Sequence, residues 1–184
     1  MALETEIKLR IEDPDAIRAR LLDLGFEEVQ PRTFEDNLLF DSPNGAFASR
    51  GRVLRLREVG DRTVLTFKGP ATGDARFKNR EELEVEVADA GALREILGRL
   101  GLVVTYRYQK FRTELARLDL HACIDETPIG LFVELEGAPD AIEEAAAALG
   151  HGPEDFINVS YRELHLERAR SRGEDDPGDL VFEE

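Results

Sequence analysis

Leu3-Glu4-Thr5-Glu6-Ile7-Lys8-Leu9-Arg10-Ile11 alternates without a break. Leu3, Thr5, Ile7, Leu9 and Ile11 fall on one side and Glu4, Glu6, Lys8 and Arg10 on the other, the period of a strand with one apolar face. Where a plain solvent face would mix Ser, Thr and Gln, this one carries full charges of both signs. The pattern returns at Arg55 and Arg57; Thr66 and Lys68; Arg80, Glu82, Glu84 and Glu86; Lys110 and Arg112; Asp119, His121, Cys123 and Asp125; Glu134 and Glu136. The residues between are mainly Leu, Val, Ile and Phe.

Working outward, Asp13-Pro14 supplies an N-cap and a first-turn proline, Ile17, Leu21, Leu22 and Leu24 keep helical spacing, and Gly25 sits where a left-handed terminal residue belongs. Strands are expected over 26–40, 52–59 and 62–68, then a polar loop over 69–78 and a strand over 80–87. A helix over 89–100 stops at Gly101, and three strand-like segments lie between 102 and 137. The order β-α-β-β-β thus occurs twice. Glu4-x-Glu6-x-Lys8 and Glu82-x-Glu84-x-Glu86 open the halves, and Leu24-Gly25-Phe26 and Leu100-Gly101-Leu102 close their first helices, which indicates an internal duplication. Helices over 139–149 and 160–170 finish the chain, the second with a capping box, Ser160-x-x-Glu163.

Eight amphipathic strands and four helices predict an α+β fold: a closed eight-stranded antiparallel β-barrel, apolar side chains outward under flanking helices and charged ones inward. Closure also removes unpaired edges. The alternative is an open sheet with its charges in cross-strand pairs and no site. That explains one Glu-x-Glu strand well and the same spacing over seven strands poorly. Charges inside a barrel must pair, stay hydrated or await a ligand, because burying an unpaired ion is costly. A ligand both anionic and metal-bound satisfies both signs.

Length (184 residues, 42% hydrophobic) fits one domain, over residues 1–170. Residues 171–184 form an acidic tail, with Glu174, Asp175, Asp176, Asp179, Glu183 and Glu184, expected to be flexible and solvated. The net charge of -15 argues against nucleic acid or an anionic membrane as partner. Charge from position 4 onward gives no signal peptide, and no apolar run is long enough to span a membrane. The single cysteine, Cys123, excludes an internal disulfide and is expected as a small buried residue. A cytoplasmic location is expected. P-loop and Rossmann motifs are absent.

Glu4-Thr5-Glu6-Ile7-Lys8 resembles the ExExK signature of the CYTH family, the triphosphate tunnel metalloenzymes, which includes class IV adenylate cyclases and thiamine triphosphatases. Leu54-Arg55-Leu56-Arg57, Leu65 to Pro70, Arg80 to Glu86, Lys110-Phe111-Arg112, Val133 to Glu136 and Ser160-Tyr161 follow in the family's order. The resemblance spans residues 1–168 and implies a tunnel of eight antiparallel strands, a divalent cation on carboxylates, and Lys and Arg gripping a triphosphate. Thr66 to Pro70 and Arg80-x-Glu82-x-Glu84 look closest to the CyaB-like class IV branch, which implies conversion of ATP to cyclic AMP and pyrophosphate. A triphosphatase acting on inorganic, thiamine or nucleoside triphosphate is the first alternative. A non-catalytic polyphosphate- or nucleotide-binding module is the second, disfavoured by acids that binding alone would not need. A homodimer is implied by the resemblance only.

On that resemblance Glu4, Glu6, Glu134 and Glu136 are the expected ligands of Mg²⁺ or Mn²⁺, hard cations suited to carboxylate oxygen. Neighbouring first and last strands would bring them together. Lys8, Arg55, Arg57, Lys68, Arg80, Lys110 and Arg112 would bind the phosphates, the arginines with bidentate capacity. Lys8, Lys68 and Asp125 are placed nearest the chemistry, Asp125 through metal-bound water or by orienting a base. Glu82 and Glu84 are expected to hold the arginines, a second metal being the alternative. His121 reads equally as a structural hydrogen-bonder, and Ser160 as an N-cap rather than a nucleophile. For each charged residue the bland reading is a solvated surface group.

Overall fold

The computed structural model describes residues 2–72 and 77–183, with residues 2–4 described by backbone only. Residues 73–76 of the expected loop, Glu184 of the tail and the Glu4 side chain therefore lie outside the described residues.

The elements run β1 (Ala2–Ile11), α1 (Pro14–Asp23), β2 (Glu27–Asp41), β3 (Val53–Val59), β4 (Arg62–Lys68), β5 (Lys78–Glu86), α2 (Ala90–Arg99), β6 (Val103–Arg117), β7 (Leu120–Thr127), β8 (Gly130–Glu136), α3 (Pro139–Ala148) and α4 (Tyr161–Ser171). The strands close in the order β1-β5-β4-β3-β2-β6-β7-β8, and every neighbouring pair is antiparallel. Exchanging β1–β4 with β5–β8 maps the pairings onto themselves, so the duplication read from sequence is also one of topology. The two first helices end alike. Gly25 (φ 84°) and Gly101 (φ 82°) take the left-handed conformation that a Cβ disfavours, and the N–H groups of Phe26 and Leu102 reach back to the carbonyls of Leu21 and Leu97.

Period-two alternation sends the apolar side chains outward, where helices cover them. Ile7, Leu9, Leu115, Ala122, Val133 and Leu135 form one core with Leu21 of α1 and Ile142, Ala145 and Ala146 of α3. Phe40 and Leu56 form another with Leu97 of α2. Each Leu or Ile buried this way contributes about 1.5–3 kcal/mol. Among the described residues no helix is long and apolar enough to cross a membrane.

β2 and β6 outrun their neighbours. β7 pairs with β6 only from Phe111 onward, which leaves the edge of β6 open at Arg107–Gln109. The tail fills it: Leu180 N donates to Arg107 O (2.9 Å), Gln109 N donates to Leu180 O (2.8 Å), and Asp179 Oδ1 accepts from Arg107 N (2.8 Å). Leu180 is buried beside Tyr106, Ile129, Phe132 and Tyr161, and the Phe182 ring lies 5.3 Å from Phe111. Where the sequence reading has a solvated tail, residues 179–182 are docked. Counting acids passes over Leu180 and Phe182, whose spacing suits an open strand edge.

Candidate active site

The inward faces enclose a cavity of about 630 Å³. On the β1–β8 wall Glu6 lies opposite Glu136, and Lys8 opposite Glu134. Lys78 donates to Glu6 at 2.9 Å, Lys8 Nζ lies 3.5 Å from Glu6 and 3.1 Å from Glu134, and Arg112 pairs with Glu134. Burial would raise the Glu6 carboxyl, but Lys8 and Lys78 hold it down at about 2. Glu136 moves the other way, raised by burial and then by the charge of Glu6.

Asp125, fully buried on β7, anchors the centre. It accepts from Lys110 Nζ (2.8 Å), Arg112 Nε (2.7 Å) and Nη2 (2.6 Å), and Tyr161 Oη (2.7 Å). Both carboxylate oxygens are engaged, so this geometry orients bases and aims two cations into the tunnel. Glu35 of β2 does the same from the other side of β6, 3.2 Å from Arg57 and 3.6 Å from Lys110. Its burial is outweighed by those cations, and its carboxyl lies at about 2.

On the β4–β5 wall Glu82 lies 2.5 Å from Lys68 and 3.6 Å from Arg55. Glu84 accepts from Thr66 Oγ1 (2.7 Å) and Arg55 Nη2 (3.3 Å). Both acids thus hold cations. Arg80 donates to Gly51 O at the mouth (2.8 Å), and the Glu4 backbone lies opposite it.

β1 and β8 are neighbours, yet among the described residues no three His, Cys, Asp or Glu side chains converge tightly enough to hold a metal. Lys8 and Lys78 both take Oε1 of Glu6, and Lys8 and Arg112 take the two oxygens of Glu134. Cys123, on the inward period as the sequence places it, lines the tunnel and is partly rather than fully buried; burial pushes its thiol up to about 12. His121 is exposed at the rim beside Glu136. Ser160 is the N-cap of α4, accepting from Glu163 N at 3.2 Å.

Glu35, Lys78, Tyr108 and Tyr161 are among the residues at the site that escaped the sequence reading. Glu35 continues the inward period of β2 through Asn37, and Lys78 extends Arg80-Glu82-Glu84 by one inward position, so both were available from spacing. Tyr108 stands two before Lys110, and an aromatic there reads as core. Tyr161 enters from a helix terminus and carries no strand period.

Residues 2–161 match the family model of the CYTH domain. The chain belongs to the CYTH domain family. A Methanocaldococcus jannaschii relative named "Putative adenylate cyclase" is 31% identical over 173 residues, covering 88% of this chain and 98% of its own. A Vibrio parahaemolyticus structure described in the same words has a TM-score of 0.78 at 19% identity, covering 88% of this chain and 97% of its own. A Hippeastrum protein, described as a "putative adenylyl cyclase" that reveals a dominant triphosphatase activity, has a TM-score of 0.60 at 19% identity, covering 95% and 98%. At those identities the two structures establish the shared CYTH barrel.

Proposed function

We propose that this CYTH protein is a metal-dependent enzyme acting on a triphosphate inside its barrel, as a class IV-type adenylate cyclase that converts ATP to cyclic AMP and pyrophosphate. The observation that carries this is one cavity lined by Lys8, Arg55, Arg57, Lys68, Lys110 and Arg112 on several strands, facing Glu6 and Glu136 set acid against acid. The cations match a chain of phosphates; the facing acids match a divalent cation. The M. jannaschii relative's name supports the cyclase assignment.

The donor chemistry fits Mg²⁺ or Mn²⁺, since carboxylate oxygens are hard ligands and the raised Glu136 beside Glu6 is what an added cation would relieve. Glu6, Glu134 and Glu136, with Glu4 of the same strand, would hold it. When bound, the ion supplies Lewis-acid neutralisation of phosphate charge. The chain's own cations do the rest by positioning and electrostatic stabilisation, held in place by Asp125, Glu35, Glu82 and Glu84. Apolar side chains, Leu39, Ala48, Val53, Ala71 and Leu166, also line the cavity among its charges, surface against which a nucleobase could pack.

Chromatography of products after incubation with ATP, and separately with inorganic triphosphate, in Mg²⁺ or Mn²⁺ tests this. Cyclic AMP with pyrophosphate is expected. Phosphate without cyclic AMP replaces the cyclase by a triphosphatase, as reported for the Hippeastrum protein, and tight binding without turnover leaves a binding module.

A further inference from the structure

The C-terminal tail supplies part of the tunnel's apolar floor. Counting inward by twos from Lys110 gives Tyr108 and Tyr106 on β6, and from Glu134 gives Phe132 on β8. Tyr106 and Phe132 form a buried cluster with Ile129 of the β7–β8 turn, Tyr161 of α4 and Leu180, with Leu39, Tyr108, Ile157 and Leu164 packed around it. Leu180, 2% exposed, is the tail's member of that cluster. Backbone bonds fix its place: Leu180 bridges Tyr108 in parallel, and Phe182 N donates to Gln109 Oε1 (3.2 Å) just beyond. These bonds are made without the Leu180 side chain, so the added strand and the apolar contact are separable.

Tyr161 joins that cluster to the tunnel's charges. Its hydroxyl donates to Asp125 Oδ2 (2.7 Å), and its ring meets Phe132 edge-on with centroids 5.3 Å apart. Lys8 Nζ and Lys110 Nζ stand 5.4 and 5.3 Å from the ring centroid. The face of an aromatic ring attracts an ammonium, most strongly where water is excluded, and a phenol on a carboxylate makes a short, charge-assisted bond. One ring thus serves two phosphate-facing lysines and the acid that holds Lys110 and Arg112. The backbone end of this side chain is set by the Ser160 capping box and by Ile157, whose N–H and carbonyl pair with Lys8 of β1. The sideways position of the ring is left to what packs beside it, Phe132 and the cluster that Leu180 completes.

We propose that Leu180 of the tail is a positioning residue of the triphosphate site, acting through the Tyr161 ring on Lys8, Lys110 and Asp125. This deepens the function proposed above and rests on it. Lys8, Lys110 and Tyr161 line the cavity, whereas Leu180 stands outside its lining, so its influence on the reaction passes through the ring. Shortening Leu180 opens space beside Tyr161, and the two ammoniums and the carboxylate lose the group that holds them in common. A misplacement on the order of 1 Å that originates away from the chemistry costs about 10²-fold in rate.

The test is a double-mutant cycle in the full-length chain: wild type, Leu180→Ala, Tyr161→Leu and the two combined, with Leu180→Met as the conservative control. ATP turnover and calorimetric binding of inorganic triphosphate are measured where circular dichroism shows each variant folded. Leu180→Ala is expected to lose about 10²-fold in kcat per folded molecule and about tenfold in triphosphate affinity, and Leu180→Met, similar in volume, to restore most of both. In the Tyr161→Leu background Leu180→Ala should cost little more, since residues that act through one another are not additive. Fully additive losses, or a lower denaturation midpoint with rate and affinity of the folded protein unchanged, make Leu180 a packing residue alone and overturn the inference while the proposed function stands. Wild type that neither binds inorganic triphosphate nor turns over ATP overturns both. The cycle is read on affinity as well as on rate, so it decides even without turnover. Should Leu180→Ala fail to fold, Leu180→Val, one methylene shorter, must show the same losses in smaller degree; unchanged rate and affinity there exclude a positioning role.

Discussion

Across the β5–β4 pair, Glu82 lies opposite Lys68 and Glu84 opposite Thr66. Across the β1–β8 pair, which the internal duplication makes its counterpart, Glu6 lies opposite Glu136. The first wall answers its own acids with a base and a hydroxyl. In the second, the carboxyl of Glu136 is raised by burial and by Glu6. Two walls of one ancestry thus differ in what they ask of a ligand: one is complete, and the other gains from a cation. Their outer faces differ too. α3 packs on β1 and β8, whereas Leu83 and Val85 of β5 are 53% and 57% exposed.

The sharpest break between the walls lies in turnover. Glu6→Gln is expected to lower metal-dependent turnover about 10³-fold, the scale of several kcal/mol of transition-state charge stabilisation. Glu82→Gln, which loosens Lys68 and Arg55 without removing a proposed ligand, is expected to lose about tenfold. Steady-state rates across a Mg²⁺ titration check this, and equal losses would erase the distinction.

Asp125 belongs to the complete kind of site, an acid surrounded by bases, and its removal measures what completeness is worth. Asp125→Ala leaves Lys110 with Glu35 and Arg112 with Glu134 as their remaining acids in the interior and is expected to destabilise the fold by about 3 kcal/mol. Glu95→Ala, which breaks the exposed Arg99–Glu95 pair of α2, should stay below about 0.5 kcal/mol. Urea denaturation of both variants gives the contrast.

Much of this was legible in the sequence because strand period and burial are tightly coupled in a barrel. Once Glu4-x-Glu6-x-Lys8 is read as a strand with a charged face, the inward positions of Arg55, Lys68, Glu82, Lys110, Asp125 and Glu134 follow from counting by two. Which charge meets which does not follow, because it depends on register. Spacing leaves the role of Asp125 open, and only the alignment of β6 with β7 sets Arg112 opposite it. The docking of Leu180 depends on β6 outrunning β7, a difference in strand length that the tail's composition does not carry.

Glu35 extends the comparison to a third strand pair, with Lys110 opposite it on β6. Its carboxyl lies at about 2 in the fold against a usual 4.5, so between those values the unfolded chain holds more protons. The stability Glu35 contributes is therefore present in full above about pH 4.5 and is lost as pH falls through about 2. Glu35→Gln should be less stable than wild type at neutral pH, and the gap should close on acidification. Urea midpoints measured at several pH values test the slope; a constant gap would mean that Glu35 acts through packing alone.

The smallest effect is expected on the outer face. Ile7 of β1 is fully buried and Leu83, on the outer face of the counterpart strand β5, is half exposed. Ile7→Ala should destabilise by about 2–5 kcal/mol. Leu83→Ala removes a side chain that already meets water and should change stability by less than about 1 kcal/mol. Thermal denaturation at two protein concentrations decides the matter. If Leu83→Ala costs as much as Ile7→Ala, and only at the higher concentration, the β5 face is covered by a second copy of the chain and the walls are alike on their outer side.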